Sequence, residues 1–214
     1  MRARAILNPR AGLAATRALR ALEGHPAWRD IEVMTTAARG DARRLAGDAA
    51  AEGYEAVLSI GGDGTANEAA WGLLGTDTAL GLVPMGSGNG LARTLGIPLD
   101  PARAVETLAH AVRRRMDVGM VNGRPFLNVA GAGFDAQVGA DFHEHGLRGG
   151  RRGIMTYVRL SLRRTWSYRA EQWRLSAGDG AFEGRALVVA FVNGRQYGGG
   201  GRGRGIRAVR HSGR

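Results

Sequence analysis

The chain has 214 residues and a formal net charge of +11, from 30 basic and 19 acidic side chains. It contains no cysteine, which excludes disulfides, thiolate nucleophiles and cysteine-based metal sites. It also contains no lysine, so mechanisms that need an amine, such as a Schiff base or a Walker A lysine, are excluded.

The composition is that of a globular protein with a core, because 44% of the residues are hydrophobic and 23% are charged. No apolar run approaches the ~20 residues of a membrane span, and the first residues lack the apolar segment of a secretion signal. We therefore expect a cytoplasmic protein.

Up to about residue 121, short apolar runs alternate with amphipathic stretches, which is typical of strand and helix units around a mostly parallel sheet. The predicted strands are Ala3 to Leu7, Ile31 to Met34, Ala56 to Ile60 and Ala79 to Val83. The predicted helices are Leu13 to Leu22, Ala42 to Ala51 with Asp41 as its cap, and Pro101 to Arg115 with arginines in its last turn. This half should be a doubly wound α/β domain.

The pattern changes near Asn122, where we place a domain boundary. Val118 to Val121 and Phe126 to Val129 predict a hairpin with an Asn-Gly turn. The elements expected after it are helices at about 136–145 and 154–166 and a second hairpin of Tyr168 to Ser176 and Ala186 to Val192. The glycine and arginine tail at 201–214 has no apolar periodicity, which predicts disorder.

Glycine is abundant, with 35 residues, and clusters where predicted strands end. The loops concerned are Asn8 to Gly12, Gly61 to Thr65 and Gly86 to Gly90. In open α/β sheets, ligands bind at the carboxyl ends of the strands, where backbone N–H groups can reach phosphate oxygens. Asp63 could orient Mg²⁺ or accept a proton there, or it could only cap the next helix, which is predicted to open at Thr65.

Five motifs in one order resemble the diacylglycerol kinase catalytic domain, of the lipid kinase family that also includes sphingosine kinases, ceramide kinases and YegS-like bacterial enzymes. They are Asn8-Pro9-x-Ala11-Gly12, Thr36-x-x-x-Gly40-Asp41-Ala42, Gly61-Gly62-Asp63-Gly64-Thr65-x-Asn67-Glu68, Pro84-x-Gly86-Ser87-Gly88-Asn89 and Asn193-Gly194-x-x-Tyr197-Gly198-Gly199-Gly200. Shorter matches are Asp117 to Gly119, Phe126 to Asn128 and Gly133 to Ala136. The resemblance spans nearly residues 3–200.

This resemblance implies ATP-dependent transfer of a phosphoryl group to a lipid hydroxyl. The fold it implies is a mostly parallel, doubly wound α/β domain followed by an incomplete β-sandwich domain with inserted helices. The expected regions are a nucleotide-binding domain at 1–122, a partial lipid-substrate domain at 123–200 and the disordered tail at 201–214.

The resemblance also implies roles for particular residues, with ATP and Mg²⁺ as cofactors. Asp63 would organise Mg²⁺ or take the proton of the attacking hydroxyl, and Arg93 would neutralise charge on the phosphoryl oxygens, unless it is only a solvated helix residue. ATP would be held by Asn8, Pro9, Gly12, Thr36, Gly61, Gly62, Gly64, Thr65, Gly86, Ser87, Gly88 and Asn89. Glu68, at capping-box spacing from Thr65, is expected to be structural.

Family members continue well beyond the segment that ends near Gly200. We therefore expect a truncated chain in which Ala186 to Val192 becomes an unpaired, aggregation-prone edge strand and kinase activity is weak or lost. The lipid acceptor implies peripheral contact with the inner membrane face. The arginines available for that contact are Arg148, Arg151, Arg152, Arg163 and Arg164, which could equally form solvated helix faces.

Two other functions fit parts of the sequence. An NAD kinase would also use the Gly61 to Thr65 loop, although Asn8-Pro9 and the Gly86 to Asn89 loop favour the lipid enzyme. A nucleic-acid-binding protein would fit the basic tail. However, no aromatic residue follows Tyr197 to stack on bases, so we expect no specific nucleic-acid partner.

Overall fold

The computed structural model describes residues 1–147, 159, 169–177, 180–193 and 205–209. The chain divides into two compact units, Met1–Asn128 and Val129–Arg214. The division falls shortly after Asn122, where the sequence pattern changes.

The first unit is built on four parallel strands. These are β1 (Ala3–Leu7), β2 (Glu32–Thr35), β3 (Ala56–Gly61) and β4 (Ala79–Pro84). Their order in the sheet is β2-β1-β3-β4, so the winding direction reverses between β1 and β3. Every residue of β1 and β3 is buried, because helices cover both faces of the sheet at its centre.

Five helices complete this unit and lie on both faces of the sheet, as the doubly wound prediction requires. They are α1 (Leu13–Glu23), α2 (Asp41–Ala51), α3 (Asp63–Leu73), α4 (Gly90–Leu95) and α5 (Pro101–Ala109). One core cluster joins α1 and α5 to the sheet through Leu22, Trp28 and Val105. A second cluster joins α2 and α3 to the opposite face through Leu45 and Leu73.

Three predicted helix ends are wrong. Helix α5 ends at Ala109 rather than Arg115, because residues 111–117 are all exposed and offer no apolar face to hold another turn. Helix α3 begins at Asp63 rather than Thr65. Gly40, not Asp41, is the N-cap of α2, and the Asp41 carboxylate instead accepts the N–H groups of the preceding loop.

The predicted Asn-Gly turn is confirmed, but the second strand of its hairpin is Arg124–Phe126 rather than Phe126 to Val129, because a two-residue turn places Arg124 directly opposite Val121. Strands β5 (Gly119–Val121) and β6 (Arg124–Phe126) pair antiparallel across a two-residue turn. Both turn residues have positive φ, 48° at Asn122 and 72° at Gly123, which matches the type I′ turn that this sequence favours.

Where the structure describes it, the second unit contains antiparallel strands and a long helix. Its elements are β7 (Val129–Gly133), α6 (Phe134–Leu147), β8 (Glu171–Ala177), β9 (Gly180–Ala186), β10 (Val188–Val192) and β11 (Gly205–Val209). They form a three-stranded sheet in the order β11-β10-β7 and a separate hairpin of β8 and β9. The mixed α/β class is therefore confirmed, with a parallel sheet first and antiparallel strands after it.

Several predictions for this unit need correction. The second hairpin pairs β8 with β9, while β10 pairs with β7 and β11 on its two sides and is not an unpaired edge. Residues 205–209 were expected to be disordered, yet they form β11, because strand pairing needs only backbone groups that glycine and arginine also carry. Of the predicted helix at 154–166 the structure describes only residue 159, which is helical, and most of the motif after Asn193 lies outside the described residues.

None of the described helices combines the length and the apolar character needed to cross a membrane.

Candidate active site

The loops that follow the four parallel strands meet at the carboxyl edge of the sheet. The loop N–H groups extend the strand ladder: Asn8 donates to Ile60 O at 2.9 Å, Thr36 to Leu7 O at 2.9 Å and Met85 to Gly61 O at 2.8 Å. The structure therefore brings together the four segments that carry the predicted site residues.

A side-chain hydrogen bond joins the first loop to the third. Asn8 Nδ2 donates to Thr65 Oγ1 at 3.1 Å, and Asn8 Oδ1 accepts from Arg10 N at 3.1 Å. Thr65 is buried, with 8% of its surface exposed. Pro9 begins a short 3₁₀ turn and Gly12 is the N-cap of α1, so both shape this loop. Asn8 thus fixes the position of the Thr65 hydroxyl.

The third and fourth loops touch through their backbones at two glycines. A Cβ atom added to Gly86 would lie 2.9 Å from Gly62 Cα, and one added to Gly62 would lie 3.3 Å from Gly86 Cα. Real Cβ atoms do not approach a backbone atom at the shorter of these distances without displacing it. Glycine is therefore required here for close approach, and the two phosphate-sized loops form one surface.

Asn89 holds the fourth loop in shape. Its Oδ1 accepts from Gly86 N at 2.8 Å and its Nδ2 donates to Gly86 O at 2.7 Å. The residue is buried and adopts the left-handed conformation at the N-cap of α4, with φ of 50°. The amide of Asn89 is thus used within the loop, while Ser87 and Gly88 at the loop tip are exposed.

The Asp63 carboxylate caps α4 rather than its own helix. Oδ2 accepts from Gly90 N at 3.0 Å and Oδ1 accepts from Leu91 N at 3.1 Å. Because these are the first N–H groups of α4, an anionic side chain is stabilised there. The expectation that Asp63 could cap the helix that follows it in sequence is therefore wrong, and the cap links two loops instead.

The remaining predicted residues line the solvent side of the same edge. Gly64 lies at the exposed start of α3, with nothing within 4 Å of where its Cβ would be. Arg93 is exposed on α4, and its Nε donates to Gly88 O at 3.1 Å, which braces the fourth loop. This contact makes Arg93 more than a solvated helix residue.

Two carboxylates tie down the loop after β2. Asp41 Oδ2 accepts from Ala37 N at 2.8 Å and from Ala38 N at 2.9 Å. The hydrogen bond from Ala38, and then that from Ala37, lowers the pKa of Asp41 below its ordinary value. Glu68 Oε2 accepts from Gly40 N at 2.9 Å. Thr36, at the start of this loop, is buried against Leu7 O. The structural role expected for Glu68 is consistent with this contact.

Two residues of this region carry roles that we did not predict from the sequence. Asn67 fixes the chain near the first hairpin, donating to Pro125 O at 3.0 Å and accepting from Leu127 N at 3.2 Å. Ser59 lies within the buried strand β3. A single polar residue inside an otherwise apolar strand is a signal that a reading of the sequence could have used.

Together, these loops can bind a polyanion. They combine glycines without side chains, exposed backbone at the start of α3 and one acidic side chain at the junction of two loops. Such an edge suits phosphate groups and the cation that accompanies them.

Residues 2–121 match the model of the family described as "Diacylglycerol kinase catalytic domain". A Pseudomonas aeruginosa (strain PAO1) protein named "Probable lipid kinase YegS-like" is 40% identical over 176 residues, covering 81% of this chain and 57% of the relative. A Cronobacter sakazakii protein of the same name is 34% identical over 183 residues, covering 83% of this chain and 59% of the relative. The chain thus spans little more than half the length of these relatives.

A solved structure supports the same assignment. The crystal structure of a diacylglycerol kinase from Bacillus anthracis str. Sterne superposes with a TM-score of 0.69 and 28% sequence identity. The match covers 92% of this chain and 66% of the solved one.

Proposed function

The chain belongs to the diacylglycerol kinase catalytic domain family, and on that premise we propose that it binds ATP and transfers the γ-phosphoryl group to a lipid hydroxyl. The observation that carries this proposal is the contact of two glycine loops at the carboxyl edge, with Asp63 joining them. Neither the NAD kinase nor the nucleic-acid-binding alternative is favoured by the relatives, whose printed names are those of lipid kinases.

The phosphates of ATP would lie over Gly62, Gly64 and Gly86, where no side chain blocks their approach to backbone N–H groups. Exposed arginines in the same region, Arg10, Arg39 and Arg93, would add positive charge. Phosphoryl transfer depends mainly on positioning and charge neutralisation, so backbone amides and arginines can serve without a lysine.

Magnesium fits the chemistry of Asp63. An ionised carboxylate has about four acceptor positions, and two backbone N–H groups take one position on each oxygen. Mg²⁺ commonly binds through one or two carboxylates together with substrate phosphates, and when bound it supplies charge neutralisation. Asp63 would hold it, while the cap on α4 keeps the carboxylate in place.

The acceptor would be a lipid at a membrane surface, as the names of the relatives suggest for those proteins. Peripheral contact with an anionic bilayer is part of the proposal, because the acceptor resides there. Five arginines suited to this contact lie outside the described residues: Arg148, Arg151, Arg152, Arg163 and Arg164.

ATP affinity with Mg²⁺ and with EDTA, measured by isothermal titration calorimetry, tests the proposal. Wild type should bind ATP more tightly with Mg²⁺, and Asp63→Asn should lose most of that difference. The variant should also melt at a lower temperature, because the asparagine NH₂ replaces a carboxylate oxygen that accepts an N–H of α4, and two donors then face each other. Asp77→Asn, which removes an exposed carboxylate before β4, is the matched control and should behave as wild type.

Absence of ATP binding by wild type would contradict the proposed function. A Mg²⁺ effect of unchanged size in Asp63→Asn would contradict the metal role of Asp63 while leaving the nucleotide site intact.

A further inference from the structure

Ser59 is a buried polar residue that the proposed reaction does not use. It lies in β3, where all six residues are buried, and only 1% of its surface is exposed. Within the part of the chain that the structure describes, Ser59 Oγ is the one buried side-chain oxygen or nitrogen without a hydrogen-bond partner. A hydroxyl that loses its bonds to water on folding is unfavourable unless a partner replaces them.

A small cavity beside Ser59 lies directly under the phosphate-binding loops. Its polar lining consists of Ser59, Asp63 and Asn89, and its other lining residues are glycines and apolar residues. The room inside is about that of one water molecule. Ser59, whose hydroxyl has no partner, and Asp63 therefore line the same small space.

We propose that this cavity binds one ordered water, which accepts a hydrogen bond from Ser59 Oγ and donates one to the Asp63 carboxylate. Asp63 has acceptor capacity for it, because each carboxylate oxygen accepts one backbone N–H and has a further lone pair. A buried water that joins otherwise unsatisfied groups is an integral part of a protein structure.

This water would make Ser59 a positioning residue for ATP binding, a part of the inference that rests on the proposed function. Asp63 is held from one side by the N–H groups of α4, and the water would hold it from the side of the sheet. Loss of the Ser59 hydroxyl should then loosen both the carboxylate and the loop junction that it joins.

The sign of the stability change in Ser59→Ala decides whether the water is present. If the hydroxyl binds water, the variant should melt about 2–4 °C lower, because one buried hydrogen bond is lost. If the hydroxyl has no partner, its removal should leave the melting temperature unchanged or raise it, and this result would overturn the proposal. Ser176→Ala, at an exposed position of β8, is the matched control.

Ser59→Cys keeps a similar volume with a much weaker hydrogen-bonding group, so its melting temperature should fall less than that of the alanine variant. If Ser59→Ala fails to fold, the cysteine variant serves instead: a lower melting temperature than wild type supports the water, and an equal or higher one contradicts it. A high-resolution crystal structure should show the water between Ser59 and Asp63. An electron-density map with no density in the cavity would also overturn the proposal.

The positioning role has a separate readout in the Kd of Mg-ATP, measured well below the melting temperature. Ser59→Ala should raise this Kd about three- to ten-fold, equivalent to the loss of about one hydrogen bond. A lower melting temperature with an unchanged Kd would overturn the positioning role and leave a purely structural water. If wild type binds no ATP, the proposed function is wrong. The melting temperatures of wild type and Ser59→Ala still show whether the cavity holds a water molecule.

Discussion

The two ends of the same parallel sheet are built in opposite ways. At the amino end, Arg4 is buried in β1 and donates to both Glu32 and Glu52, with N–O distances from 2.6 to 3.2 Å. Tyr54 adds its ring beneath the guanidinium and a hydroxyl that donates to Glu32. At the carboxyl end, glycines, exposed backbone and the Asp63 carboxylate face solvent.

This difference separates stability from function within one sheet. At the amino end, Arg4 forms ion pairs with Glu32 and Glu52, so these charges are neutralised within the protein and need no ligand. The carboxyl end keeps backbone groups and loop junctions available for a ligand. Changes at the amino end should therefore affect folding, and changes at the carboxyl end should affect ATP binding.

The largest effect should come from Arg4→Ala. This change removes the guanidinium that pairs with Glu32 and Glu52 and leaves a void in a buried strand. We expect the free energy of unfolding to fall by about 3 kcal/mol, at the lower end of losses for a broken buried pair, since both carboxylates are partly exposed. Urea denaturation measures it.

Arg2→Ala is the control for Arg4→Ala, because Arg2 stacks on the same Tyr54 ring but is exposed. Arg2→Ala should lower the free energy of unfolding by well under half of the loss expected for Arg4→Ala. If Arg4→Ala folds and its Kd for ATP equals that of wild type, the separation between the two ends is supported. A large loss of ATP affinity in a fully folded Arg4→Ala protein would contradict it.

Gly86→Ala should act at the other end of the sheet. The new Cβ would meet Gly62 Cα and Asn89 Oδ1, both at 2.9 Å, so the two loops must separate. We expect ATP affinity to fall about ten-fold, or ~1.4 kcal/mol, with a smaller loss of stability. Calorimetric titration with Mg-ATP measures the affinity.

The control for Gly86→Ala is Gly139→Ala in α6, where nothing lies within 4 Å of the new Cβ. It should leave ATP affinity unchanged and stabilise the helix slightly. Wild-type ATP affinity in Gly86→Ala would show that the junction of the two loops does not form the nucleotide site.

The smallest effect should appear in the pH dependence of stability. The Tyr54 hydroxyl and then Arg4 lower the pKa of Glu32 below its ordinary value. A carboxyl whose pKa is lowered by folding stabilises the folded chain fully above its unfolded pKa, ~4.3 for glutamate, and loses this contribution as pH falls through the folded pKa.

Urea midpoints of wild type and Glu32→Gln at several pH values measure this contribution. Wild type should be the more stable at pH 7, and the difference should shrink as the pH falls below ~4.3. A difference that stays constant down to acid pH would show that Glu32 is not stabilised as an anion by these partners.

Much of the first unit follows from local sequence. Strands β1 and β3 are apolar runs, interrupted only by Arg4 and Ser59 and followed by turn residues, and their predicted bounds agree with the structure to within one residue. The four loops could be placed on one edge because parallel strands end on the same side. The motif order then indicated the family without any knowledge of contacts.

Features that depend on distant partners could not be predicted in this way. In the sequence, Arg4 is a charged residue inside an apolar strand, and its partners Glu32 and Glu52 lie far from it along the chain and contact it only in the folded structure. Asp63 caps a helix that begins 27 residues later, so no local pattern reveals its partner. The pairing of β10 with β7 and β11 likewise joins segments far apart in the chain.

Hydrogen exchange of backbone amides with and without Mg-ATP tests the central claim most directly. We predict slower exchange on ATP addition in the segments 61–65 and 86–91, and no change in segments 2–5 and 52–55 at the amino end. Protection confined to other segments, or equal at both ends of the sheet, would contradict a nucleotide site at the carboxyl edge.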